Sequence, residues 1–495
     1  MAARKILESF GFSSIIFLIA QSVSLAQGKN PAYPKEIEEK IHRVENNLSG
    51  WAQVEGMPNQ WALSDRMKYY HIHGLSIAVV HNYKIEWARG YGWADTAERR
   101  PVTDQTLFQA ASISKSLNAV GVLKLVQEKK INLDEDINQC LKSWQLSASN
   151  LTQGEKITVA NLLNHTAGLN VHGFPGYAQG DSLPSVIQIL NGQWPANTEA
   201  IRSQFEPGTK FQYSGGGVTI SQLIVTDITG KAYDKYQWNE VLKPMGMINS
   251  FYSQPPPLSK RPILATAYNA EGREVKGKFH IYPEMAAAGL WTNPTDLCHY
   301  IIETQLAYEG KSSRVLSPSM TKTRLNPFHG SNSALGVFVD SFGDRKYFQH
   351  DGANEGFRCQ YYGSLSGGDG VAIMVNSDEG AILREVINSV ATVYEWKNFF
   401  KPQIKKLAAV PTDTLDLYTG NYTAPNQPEL IIGRKGNDLY LTMPDGNIMR
   451  MYFTSLTDFF LMDLPIPAKF VRNEKDGKYM ILAKGRDRDM QFTRK

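Results

Sequence analysis

Cysteine is scarce: three thiols, Cys140, Cys298 and Cys359, in 495 residues. They are too few and too scattered for a disulfide framework or a zinc site, and are expected to be small buried hydrophobes. Charge of one sign is short as well. Lys and Arg number 52 against 48 Asp and Glu, a formal net charge of +4, and no basic run gathers it into a stripe. A nucleic-acid partner is therefore not expected. With 42% apolar and 20% charged residues, 40 Gly and 24 Pro, disorder, collagen and a whole-chain coiled coil are excluded. No Gly-x-Ser-x-Gly elbow is present, which removes the α/β-hydrolase fold.

Long apolar runs are missing except at the start, where Arg4 and Lys5 precede residues 10–20 and the small residues Ser24 and Ala26 stand before Gln27. This stretch reads as a signal peptide over residues 1–26, cut after Ala26, which implies a periplasmic or secreted protein. The alternative is an uncleaved N-terminal membrane anchor over residues 11–26. No cysteine follows the cleavage point, so a lipid-modified N-terminus is not indicated.

A chain of this length is expected to form two or three compact units. Residues 30–45 look helical. Leu75-Ser-Ile-Ala-Val-Val80 and residues 85–91 flank the polar turn Asn82-Tyr83-Lys84, the signature of a hairpin. Strand signals return only at residues 346–349, 357–362 and 370–376, and a helix at 382–396 follows; residues 107 to about 310 are mostly helix and loop. The expected fold class is α+β: an antiparallel sheet made from both ends of the chain, flanked by helices, with a large helical insertion. This unit is expected over residues 27–401. Two prolines and little periodicity mark residues 402–413 as a linker. Residues 414–495 read as a small all-β barrel or sandwich, with turn signals at 435–438, 444–447 and 475–477.

Candidate chemistry begins at Phe108-Gln-Ala-Ala-Ser-Ile-Ser-Lys-Ser-Leu117, which the spacing of Leu117, Val120, Leu123 and Val126 marks as a helix opening. Ser112 and Lys115 lie three apart and share a face at its N-terminus. There the dipole favours negative charge and the amine reaches the serine oxygen. A serine hydroxyl becomes a useful nucleophile only with such a neighbour. His165 is expected to be structural. His71 and His73 alternate as two ligands on a strand would, but no acidic or imidazole cluster follows, so no metal is expected.

Taken with Leu162-Leu-Asn-His-Thr-Ala-Gly-Leu169, Tyr213-Ser-Gly-Gly-Gly217, Ala288-Gly-Leu-Trp291 with Asp296, and His350-Asp-Gly352, this motif resembles the serine β-lactamase and penicillin-binding-protein superfamily. The likeness covers roughly residues 36 to 400 and is to the class C-like branch, with D-amino-acid peptidases and family VIII esterases. The resemblance implies Ser112 as nucleophile, Lys115 as its partner, and Tyr213 as a phenol that an ammonium helps to ionise, so that it takes the Ser112 proton directly or through Lys115. It implies His350 and Gly352 as a cleft wall lending a hydrogen-bond donor, and the N–H groups of Ser112 and Ala353 as the oxyanion hole. Gly215 stands where the family usually has asparagine, and Asp351 beside a site that in relatives attracts a substrate carboxylate. Both make efficient antibiotic hydrolysis doubtful. Gly215 is further expected to widen the cleft, admitting a larger acyl group or the side chain of Asn354 or Glu355. The implied function is an exported serine hydrolase, without cofactor, acting on a small-molecule or peptide ester or amide. The alternative is a penicillin-binding-type recognition protein or scaffold with slow or no turnover. Oligomeric state is left open, a homo-oligomer included, as is the role of the C-terminal unit.

Overall fold

A strand covered on both faces needs apolar side chains at every position, whereas a helix on one face of a sheet needs only a stripe. In the computed structural model, which describes residues 30–495 except 153, 426, 428, 444–447, 463, 465, 475 and 485–488, both patterns find their place. The expected signal segment, its cleavage point and the 444–447 turn lie outside the described residues. The elements used below are helix α1 (Lys35–Glu45), strands β1 (Gly74–His81), β2 (Lys84–Asp95) and β3 (Arg100–Pro101), and helices α2 (Ser114–Gln127), α3 (Gly215–Thr229), α4 (Met285–Ala288) and α5 (Pro294–Tyr308). Strands β4 (Phe338–Phe342), β5 (Arg345–Asn354), β6 (Phe357–Ser364) and β7 (Gly370–Val375) and helix α6 (Ala381–Val393) follow.

The seven strands form one sheet in the order β3-β2-β1-β7-β6-β5-β4. Ile77 of β1 pairs antiparallel with Ile373 of β7, so the two ends of the chain meet at the centre of the sheet. Leu75, Ile77 and Val79 point to one face, where Ile41 and Val44 of α1 and Val386, Ile387 and Val390 of α6 cover them. Ala78 and Val80 point to the other, against Leu297 and Ile301 of α5 and the core of the helical insertion. Helix α2 lies inside that core, so even its polar side chains must be paired: Ser116 Oγ lies 2.9 Å from the Tyr361 hydroxyl, and Asn118 donates to Ser221 Oγ at 2.8 Å.

The stretch expected to be a linker carries structure. Gln403–Lys405 forms a parallel strand with Ala52–Val54, because the edge that the early segment offers needs a backbone partner. Helix Thr412–Tyr418 then leads into a closed eight-stranded barrel that begins at Gly420–Thr423 and ends at Asp489–Arg494, with Tyr422 opposite Arg494. Tyr418 stacks on Phe470 at 3.9 Å and helps fill the barrel with side chains. The barrel is fastened to the larger unit by Trp51, whose indole N–H donates to the Leu461 carbonyl at 3.0 Å and whose ring meets Phe460 edge-on. All three cysteines are free and buried. Among the described residues no helix is long and apolar enough to cross a membrane.

Candidate active site

Local propensity favours helix from Phe108 onward, but Phe108–Gln109 is a short strand paired with Trp291–Thr292. Tertiary pairing overrides the helical signal there. The chain then turns through the 3-10 segment Ala111–Ile113 into α2. Ala111 has a φ of 47°, a left-handed conformation that costs an L-residue free energy and is held by its buried surroundings. It aims the half-buried Ser112 out of the helix start. One turn on, Lys115 donates to Ser112 Oγ at 3.0 Å and to the Ala287 carbonyl of α4 at 2.7 Å. Burial pushes the Lys115 amine down to about 7, against the opposing charge of Asp351.

Tyr213 precedes α3, and the Lys115 ammonium position lies 5.0 Å from the centre of its ring. Hydroxyl, amine and phenol, separated by up to a hundred residues in sequence, thus converge. The Tyr213 hydroxyl is buried and makes no well-aligned hydrogen bond to the protein. Burial drives its pKa far above that of a free phenol; the nearby Ser112 hydroxyl works in the opposite direction and Asp351 adds to the rise. These shifts run against the expected roles: the phenol stays protonated at neutral pH, and Lys115 is the group whose lone pair is available. His165, expected to be scaffolding alone, lies against the Tyr213 ring with centroids 4.2 Å apart and accepts the Ser214 N–H at 3.2 Å. His172 Nδ1 donates to the Tyr213 carbonyl at 2.5 Å.

Gly215 does not widen the cleft. A Cβ there would stand 2.9 Å from Phe174 Cε2 and 3.2 Å from the His172 carbonyl, so the space a side chain would use is taken by Phe174. The strap over residues 171–174 also satisfies the helix start: Gly215 N–H donates to His172 O and Gly216 N–H to Val171 O, while Ser214 Oγ accepts from Gly217 N–H at 3.0 Å. Asn354 does not reach into the cleft either; it is buried and donates to Gln109 Oε1 at 2.8 Å and Ala288 O at 3.1 Å.

Strand β5 forms the opposite wall. Its pairing with β4 stops at Gln349, leaving the edge from His350 to Asn354 alongside the Ser112 turn. Gly352 allows this approach, since a Cβ would meet the Ala110 carbonyl at 2.4 Å and Cys359 Sγ at 2.5 Å. Ala353 follows on the exposed side of the strand. His350 is buried, and its Nδ1 faces the Asp351 carbonyl at 2.6 Å. Burial holds its pKa down at about 4; Asp351 opposes that and the Lys115 charge reinforces it. A neutral imidazole with Nδ1 as donor has an acceptor at Nε2, so the side chain offers the cleft a lone pair rather than the expected donor.

Sequence reasoning missed Phe174, His172, the Ala287 carbonyl and Glu284. The last is a buried carboxylic acid at the start of α4, raised by burial to about 8. No motif marks them: Phe174 fills space, His172 and Ala287 act on or through the main chain, and Glu284 is distinguished only by its burial. His71 lies in a turn with φ 53°, not on the strand, and His73 Nε2 contacts the Gly272 carbonyl at 2.8 Å. The two border a separate cavity of about 760 Å³ with Met67, Tyr91 and Trp93. Among the described residues no group of three or more His, Cys, Asp or Glu could hold a metal ion.

Comparison with known proteins bears on family and fold. The chain is 29% identical over 237 residues to Protein flp of Staphylococcus aureus (strain MRSA252), an alignment covering 47% of this chain and 45% of flp; it thus spans about half the length of the curated relatives it matches. Its fold is similar to the octameric penicillin-binding protein homologue from Pyrococcus abyssi, with a TM-score of 0.61 at 20% identity, covering 87% of this chain and 98% of that one. It is also similar to the D-amino acid amidase from Ochrobactrum anthropi SV3, with a TM-score of 0.55 at 20% identity, covering 73% and 99%. The Beta-lactamase family profile matches residues 61–391, well over half of the sequence, and the chain belongs to the Beta-lactamase family.

Proposed function

We propose that the protein is a serine hydrolase that forms an acyl-enzyme on Ser112 from an ester or amide and releases the acyl group to water. The observation that carries this reading is the 3.0 Å contact between Ser112 Oγ and a Lys115 amine held near neutrality. Ser112 Oγ bonds to the substrate carbonyl carbon as its proton passes to Lys115. The oxyanion is met by the N–H groups of Ser112 and Ala353. The bond to the leaving group breaks as that group takes the Tyr213 proton, and the Lys115 ammonium reprotonates the phenol. Water then repeats the sequence on the acyl-serine, yielding the acid and free Ser112. No cofactor enters these steps.

Asp351 puts negative charge at the cleft mouth, and Phe174 fills the place where an amide side chain would meet an acylamino group. Both favour substrates other than penicillin-type β-lactams. We also propose export through the N-terminal segment. The Pyrococcus abyssi relative is octameric; self-association of this chain is an expectation that sedimentation checks. A fluorophosphonate probe tests the central claim: it labels the wild type and fails to label Ser112→Ala. Equal labelling of the two proteins overturns the assignment, and an acetyl-Ser112 that forms from p-nitrophenyl acetate but releases no acetate over hours makes the protein a slow acylating binder instead.

A further inference from the structure

Two polar atoms in the cleft are buried and make no well-aligned hydrogen bond to the protein: the Tyr213 hydroxyl and His350 Nε2. Their rings lie 6.3 Å apart, centre to centre. Among the described residues the Tyr213 hydroxyl has only Ser112 beside it, and His350 has spent its other nitrogen. His350 Nδ1 is engaged with the Asp351 carbonyl at 2.6 Å, and Phe338 packs on the same imidazole at 5.3 Å, so the ring is held with its lone pair at Nε2. The Tyr213 ring is held by His165 at 4.2 Å. A donor and an acceptor therefore belong to neighbouring rings of the same cleft, and on the mechanism above Tyr213 faces the leaving group. Buried polar atoms are rarely left unmatched, so the missing partner is a group with the complementary pattern.

That pattern separates classes of scissile bond. A primary or secondary amide nitrogen can take the Tyr213 proton while its own N–H points at His350. An ester oxygen has only lone pairs to set against the lone pair of Nε2. The ring nitrogen of a β-lactam carries no hydrogen. We infer that His350 is a specificity-determining residue that accepts the leaving-group N–H and so selects primary or secondary amides over esters and over N–H-free amides. The inference rests on the acyl-enzyme reading above. In the step it describes, Ser112 Oγ bonds to the carbonyl carbon and its proton moves to Lys115. The C–N bond breaks as nitrogen takes the Tyr213 proton, and the amine leaves with its original N–H still directed at Nε2.

The test uses the full chain and a matched alanyl series in both enantiomers: the p-nitroanilide, the N-methyl-p-nitroanilide and the p-nitrophenyl ester. The quantity measured is the ratio of kcat/KM for the N–H anilide to that for its N-methyl analogue. His350→Ala is expected to lower this ratio about tenfold, the weight of one hydrogen bond in a dry site. His350→Gln, which keeps volume and offers an amide oxygen, is expected to restore part of it. A purely structural role would lower all three substrates together and leave the ratio alone. An unchanged ratio in His350→Ala, with the ester still turned over, overturns the role of His350 and leaves the serine-hydrolase reading standing. A wild type that releases no nitrophenol and gains no acyl group at Ser112 overturns both.

Discussion

The acylation rate should follow the titration of one buried amine. Burial moves Lys115 from the ordinary lysine range to about 7, a displacement equivalent to about 5 kcal/mol in favour of the neutral amine over the ammonium. With that value the neutral fraction is about a tenth at pH 6 and about nine tenths at pH 8, so acylation of Ser112 should rise about tenfold across this interval. Neither imidazole beside it can supply such a limb, because His350 titrates near 4 and burial holds His165 well below its usual value. The measurement is rapid-quench mass spectrometry of the Ser112 adduct from p-nitrophenyl acetate, between about pH 5.5 and about pH 8.5. Lys115→Arg keeps its charge throughout this range and should lose acylation at every pH. Stability gives an independent reading of the same group. Its folded value lies below its unfolded one, so between about 7 and about 10.4 the unfolded chain holds a proton that the native state has released. This residue therefore adds stability as pH rises through that window, and its charged form is a cost to the native state below it. A flat acylation profile, or a limb above about pH 9, would falsify the assignment of Lys115 as base.

Two further outcomes follow from the packing. Gly352→Ala places a methyl group against the Ala110 carbonyl and Cys359 Sγ, both in fixed surroundings, so β5 must move off the Ser112 turn; Ser112 labelling should fall and the melting temperature drop, by overpacking of about 1–3 kcal/mol. Gly215→Asn should destabilise through its clash with Phe174, and the double substitution with Phe174→Ala should recover much of that loss. Thermal melts of the four proteins in that cycle give the coupling directly, and strict additivity would mean that Phe174 is not what occupies the space.

The candidate site was legible in sequence where its residues stand at a fixed local spacing. Ser112 and Lys115, three apart, share a face, and Tyr213 and His350 were found through the motifs that carry the resemblance. The hairpin of β1 and β2 and the strands β5, β6 and β7 were legible because short β-branched and aromatic runs there are bounded by turn residues. Strand β4 was not: it is a short edge strand whose only buried residue is Val339, too little to produce a pattern. Phe108–Gln109 was misassigned because its strand partner lies at Trp291–Thr292, far outside any local window.

The same physics explains why the direction of proton transfer could not be taken from the motif alone. In water a lysine ammonium holds its proton slightly more tightly than a tyrosine phenol, and an ammonium beside a phenol would help it ionise. Inside the protein both groups are desolvated, and burial penalises the charged form of each: it pushes the amine down and the phenol up. On the proposed mechanism the two shifts exchange the expected roles: the Lys115 amine takes the Ser112 proton and the Tyr213 phenol gives one to the leaving group. Identity and spacing place the groups in one cleft, but the burial of each decides which accepts the first proton. That burial comes from elements far away in sequence: α4 through the Ala287 carbonyl, His165 against the phenol, and the edge of β5.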